Sequence, residues 1–215
     1  MKRALIVYGG WKGHEPKETA ELFGRVLGSE GFEVVIKNKM NAFTKLNLQD
    51  FDLIVPVWTN GEIKGRECQA VMRAVESGVG LAGCHGGMCD AFHDSVDWQF
   101  LTGSQWVAHP GGEIEYTVNI SPVASPLTEG IGDFKIKSEQ YYLHTDPVNT
   151  VLATTRFPVA DGPYTANGTV DMPVVYTRLW GKGRIYYNSL GHVTAVWNTP
   201  EAMELMKRGL LWAAR

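Results

Sequence analysis

An α/β fold built on a mostly parallel sheet is what the sequence predicts, and three observations carry the prediction. Residues 4–8, 53–58 and 79–83 are short runs that stay apolar instead of alternating, the pattern of strands buried on both faces. Segments with helical spacing of apolar residues lie between them, so strands alternate with helices and right-handed crossovers follow. The strands end in loops rich in glycine and polar residues, and in such sheets ligands bind outside the carboxyl ends.

The first strand, residues 4–8, is closed by Gly9-Gly10 and a loop holding Trp11 and His14; Pro16 then suits the first turn of a helix running to about Ser29. Ala20, Phe23, Val26 and Leu27 give that helix its buried face. Residues 32–36 form a second strand and residues 53–58 a third, whose exit loop is Thr59-Asn60-Gly61-Glu62. A helix over 64–77 leads into the strand at Val79. Further on, residues 97–101 read as helical, 107–112 as a turn-rich loop and 113–120 as a half-exposed strand. Residues 125–131 read as a short helical turn. Residues 136–144 concentrate polar and aromatic groups without a clear period. A strand over 151–155 and an exposed loop over 161–170 precede a hairpin, 174–178 and 184–190, turning at Trp180-Gly181-Lys182-Gly183. An amphipathic helix over 200–212, with Met203, Leu205, Met206, Leu210 and Leu211 inward, closes the chain.

Within this frame Gly83-Cys84-His85-Gly86-Gly87 reads Gly-x-His-x-Gly, the spacing of a nucleophile elbow. Glycines two residues either side permit a sharp turn, and the strained central residue points into a pocket. A helix is expected directly after it. Acyl transfer needs Ser or Cys at the apex, but the apex is His85 and Cys84 lies one place too early. The same five residues also suit a glycine-rich turn whose histidine bonds a neighbour.

With 215 residues and 44% hydrophobic content, the chain can bury a full core as one domain, 1–215. Lys+Arg 20 against Asp+Glu 23, without a basic run, leaves no electrostatic footprint for nucleic acid. No apolar stretch approaches the roughly 18–20 residues of a membrane span. Three irregularly spaced cysteines make no disulfide framework, and a chain starting on a strand without a signal peptide points to the cytoplasm.

Three further segments stand in order with the elbow: His109-Pro110-Gly111-Gly112, Glu139-x-Tyr141 to His144, and Gly181-x-Gly183-Arg184 through Ser189-Leu190-Gly191-His192. Together they cover nearly the whole chain and resemble the ThuA-like (trehalose-utilisation) family of the class I glutamine amidotransferase-like superfamily. The resemblance implies a flavodoxin-like three-layer sandwich with antiparallel additions at the sheet edge. It also implies work on trehalose-like or related glycosides, with an oxidised (keto) sugar among the candidates. It argues against glutamine hydrolysis. The amidotransferase relatives have cysteine at the apex and His-Pro-Glu on a late strand, whereas here His85 is the apex and His192 is followed by Val193-Thr194.

The resemblance sets His85 and His192 across one pocket, with His14 and Glu139 nearby. The catalytic candidates are His85 and His192, exchanging protons, and Glu139, orienting or polarising. The substrate-binding candidates are His14, Trp58, Thr59, Asn60, Gly86, His109, Tyr141 and Tyr142. Tyrosines beside a carboxylate suit a small-molecule carbohydrate, and Trp11, Trp58, Tyr8 and Trp197 near the predicted loop ends add aromatic surface. His14, His85 and His192 with a carboxylate are equally the inventory of a divalent-metal site such as zinc. Spacing leaves metal-free acid/base chemistry, metal-dependent hydrolysis and a non-catalytic sugar-binding or regulatory role open. A homo-oligomer, and an oxidoreductase in the same pathway, are compatible partners. His93 and His144 read as surface or structural groups.

Overall fold

The computed structural model describes the backbone of residues 1–215 and every side chain except those of Pro163 and Tyr164. In chain order the elements are β1 (Arg3–Gly10), α1 (Pro16–Ser29), β2 (Glu33–Lys37), α2 (Ala42–Lys45), β3 (Leu53–Thr59), α3 (Gly65–Ser77), β4 (Gly80–Cys84), α4 (Val96–Thr102), β5 (Ser104–Ala108), β6 (Glu113–Ile120), β7 (Phe134–Glu139), β8 (Tyr142–Thr145), β9 (Thr150–Phe157), β10 (Val170–Trp180), β11 (Gly183–Asn188) and α5 (Pro200–Ala213). Nine strands form one mixed sheet in the order β2-β1-β3-β4-β11-β10-β9-β6-β7, and β5 pairs with β8 beside it. From β2 to β11 all neighbours are parallel. From β11 to β7 all are antiparallel.

The unbroken apolar runs are explained by burial on both faces. Ala4 and Ile6 of β1, with Leu53 and Val55 of β3, pack with Phe23 and Leu27 of α1 and Leu205, Met206 and Leu210 of α5. Leu5, Val7 and Ile54 point the other way, toward Phe43 of α2, Val71 and Val75 of α3 and Trp98 of α4. Alternate residues of one strand therefore serve two cores, and helices cover both faces of the sheet.

The strand polarity gathers the loops that matter. β7 runs the same way as β1, β3, β4 and β11, so its last residue, Glu139, stands at the same end of the sheet as Gly10, Thr59, Cys84 and Asn188. Four strands separate β4 from β7 in the sheet order. The end of β7 nevertheless meets the end of β4, Glu139 Oε2 lying 3.1 Å from His85 Nε2, and register shifts interrupt the antiparallel half between Pro173 and Tyr176 where β10 meets β9.

Several expectations are corrected. No α-helix follows the elbow directly: one 3-10 turn, His85–Gly87, gives way to irregular chain as far as Ser95, which caps α4 through its hydroxyl. The reason is tertiary. The carbonyls that a helix would use are taken from elsewhere, Met88 by the Trp98 indole (2.9 Å), Cys89 by the Trp106 amide (2.8 Å) and Asp90 by the Asn60 amide (2.7 Å). The unassigned stretch 136–144 is the end of β7, a break at Gln140-Tyr141 and most of β8, while Val107 and Ala108, expected in a loop, finish β5. Among the described residues no helix is long and apolar enough to cross a membrane.

Candidate functional site

At the end of β4 the chain turns through His85 in the left-handed region, φ 47°. A non-glycine residue there is strained and is held by its surroundings. The Tyr187 hydroxyl and the Cys89 amide donate to the His85 carbonyl at 3.1 and 3.3 Å, and the ring of Tyr141 stacks on the imidazole at 3.9 Å. Gly86 is required by close approach: a Cβ would stand 2.6 Å from Thr59 Oγ1 and 2.7 Å from His14 Nδ1.

The tautomer of His85 follows from its partner. Nδ1 lies 2.7 Å from the Ser189 carbonyl, which can only accept, so Nδ1 carries a proton and donates. Burial pushes the imidazole down to about 4, against the upward pull of the Glu139 carboxylate. Near neutral pH Nε2 therefore presents a lone pair, and it faces Glu139 Oε2 at 3.1 Å. Two acceptors at that distance need a proton or a cation between them.

Glu139 Oε2 is the hub. His192 Nδ1 is 3.2 Å from it, though out of line for a hydrogen bond, and His14 Nε2 is 3.7 Å away, its ring fixed by a 2.8 Å bond between Nδ1 and Thr59 Oγ1. His109 Nε2 approaches the other carboxylate oxygen at 3.7 Å, and His192 Nε2 is 3.3 Å from Glu113 Oε1. Burial alone would raise the Glu139 carboxyl, but His14, His192 and His85 together hold it well below the usual carboxylate range. The adjacent Glu139 carboxylate raises His192, against its partial burial. One ligand atom each from His14, His85, Glu139 and His192 falls within 4.8 Å of all the others, a three-imidazole, one-carboxylate set suited to zinc or a neighbouring divalent ion.

A clamp joins two of the imidazole loops. Glu15, next to His14 and itself at φ 46°, accepts from the Thr194 amide at 2.9 Å and the Thr194 hydroxyl at 2.6 Å, two residues beyond His192. These bonds hold the Glu15 carboxyl below its ordinary value. Glu15 thus ties the His14 loop to the loop that carries His192.

His14, Thr59, Gly86, Tyr141 and His109 are brought to His85, His192 and Glu139. Trp58 packs across Gly9 and Gly61, Asn60 bonds the chain after the elbow, and Tyr142 meets the Phe157 ring and the Asn167 amide. The roles of Glu15, Glu113 and the Ser189 carbonyl were not legible in sequence, because each acts through a partner far along the chain. The cavity lined by His14, Thr59 and His85 measures ≈ 10 Å³, too small for a sugar. A cleft of ≈ 580 Å³ between Gly61 and Asp97 is larger, but none of the imidazoles lines it; donor chemistry outweighs size in locating the site.

A family model described as ThuA, trehalose utilisation, matches residues 3–213. No curated protein matches the chain. Among solved structures it is similar to a ThuA-like protein from Parabacteroides merdae, TM-score 0.77 at 18% identity over 99% of this chain and 89% of that one. It is also similar to a cytoplasmic protein from Salmonella typhimurium, TM-score 0.67 at 12% identity over 99% and 100%. The third is a cold-adapted β-galactosidase from Rahnella sp. R3, TM-score 0.60 at 18% identity over 88% of this chain and 28% of that one. At these identities the likeness is one of fold.

Proposed function

The chain belongs to the ThuA (trehalose utilisation) family, and from that premise we propose that it processes a sugar derivative at a divalent-metal centre held by His14, His85, His192 and Glu139. One observation carries the reading: the Ser189 carbonyl fixes His85 so that the Nε2 lone pair and a carboxylate oxygen converge at 3.1 Å, an arrangement a cation resolves. When bound, such an ion would supply Lewis-acid polarisation of a sugar oxygen and a lowered pKa for its water. The chain's own residues do the rest. Glu139 gathers three imidazoles on one oxygen, Thr59 and Ser189 fix two of the rings, and the Glu15–Thr194 clamp sets the His14 and His192 loops against each other.

We read the fold as the flavodoxin-like arrangement of the class I glutamine amidotransferase-like superfamily with amide chemistry lost. The elbow strain is retained at His85, and burial drives the neighbouring Cys84 thiol far above its ordinary value, so it is no nucleophile. A cytoplasmic location fits the reading.

The test is product release from trehalose, other glycosides and their keto forms, with and without a chelator, in wild type and Glu139→Gln. Turnover lost on chelation and in the variant is expected. Turnover indifferent to chelation would instead mean metal-free acid/base chemistry, and saturation by sugar without product would mean a binding protein.

A further inference from the structure

Trp11 is the one tryptophan of seven whose ring lies open, 49% exposed, while Trp98 and Trp197 are buried and the others half-buried. It is not stray. Its amide bonds the Thr59 carbonyl at 3.1 Å, its ring stands edge-to-face on His14 at 4.6 Å, and a Cβ on Gly13 would come within 2.4 Å of it, so the glycine leaves room for the indole to lie down. An exposed, positioned apolar plane in contact with a buried polar cluster marks a binding surface.

The groups around the cluster suggest what it takes. Trp11 reaches the cluster from the His14 side of Glu139, and His109 from the other carboxylate oxygen. The side chains of His109 and Glu113 are 35% and 46% exposed, Glu113 lying 3.3 Å from His192. His109 Nδ1, Trp106 Nε1 and Tyr141 Oη are buried polar atoms with no hydrogen-bond partner, and their rings stand in sequence, Trp106 to His109 at 5.5 Å and His109 to Tyr141 at 6.2 Å. A pyranose has what these groups lack: one face of C–H groups for an indole and a rim of hydroxyls that both donate and accept.

We propose that Trp11 is the stacking platform of a pyranose subsite, with His109 and Glu113 addressing the sugar's hydroxyls beside Glu139. The proposal rests on reading the cluster as a carbohydrate centre, but not on the metal. Calorimetric titration of the full chain with trehalose and with methyl α-glucoside tests it, on wild type, Trp11→Ala, Trp11→Phe and Gly13→Ala, with metal content measured on the same samples. Trp11→Ala is expected to weaken binding at least tenfold and Trp11→Phe less, with unaltered melting and metal content. Gly13→Ala, which keeps the indole but displaces it, is expected to weaken binding too. Binding within twofold of wild type in Trp11→Ala would overturn the proposal, and so would a metal-loaded wild type that neither sugar saturates. Sugar binding that needs Trp11 in a protein without metal would support the subsite and sink the metal reading alone.

Discussion

Two buried polar clusters lie back to back around the elbow, and they are finished differently. Behind it, Cys89, Ser104 and Tyr176 close on one another: Sγ to Oγ at 2.8 Å, Oγ to Oη at 2.7 Å, and the Tyr176 hydroxyl donating to the Thr102 carbonyl at 2.8 Å. Burial holds the Cys89 thiol up at about 11, so the group stays neutral. In front, Glu139 is shared among imidazoles, acceptors face each other, and the side-chain nitrogens of His192, His109 and Trp106 include atoms left without partners. A network that only holds the fold satisfies itself, whereas one built for a ligand leaves groups that the ligand completes.

The front cluster depends most on its hub. Glu139→Gln should lower affinity for added Zn²⁺ or Co²⁺ by more than about 100-fold while the protein stays folded, since it removes a charged ligand; cobalt titration with circular dichroism checks both. The rear network should answer oppositely. Ser104→Ala or Tyr176→Phe strands buried partners and should cost about 1–3 kcal/mol in denaturant unfolding with metal content unchanged. A metal loss there would dissolve the distinction between the clusters.

Smaller effects are expected at the clamp and in the titration of the imidazoles. Glu15→Ala frees the Thr194 loop and should weaken metal binding about tenfold, with Glu15→Gln, still an acceptor, recovering most of it. The pH profile gives the finest grain. Folded His85 sits near 4 against an ordinary 6.5, so the unfolded chain binds more protons between those values, and stability climbs as pH rises across that window. His85→Phe should flatten that part of the climb in urea melts. His192, raised by Glu139, contributes in the other sense: its share is present below its ordinary value and fades as pH rises through the folded one.

Much of this was legible in sequence. Unbroken apolar runs predicted the parallel half, and glycine spacing placed the strained turn with His85 at its apex, because those features are local. The strand ends bring the His14 and His85 loops together, the resemblance adds His192 and Glu139, and the four meet in space. The missing helix after the elbow was not legible, since its carbonyls are claimed by Asn60, Trp98 and Trp106. Glu15 was not either, because its partner Thr194 lies 179 residues away. Nor was the reach of Glu139, which comes from β7, separated from β4 by four strands in the sheet order.

Elemental mass spectrometry of untagged protein purified without added metal, wild type beside His85→Ala, decides whether the cluster holds an ion. About one divalent ion per chain in wild type, lost in the variant, is what the convergence of Nε2 and Glu139 predicts. No bound metal in either protein, even after zinc is supplied and excess removed, would contradict it.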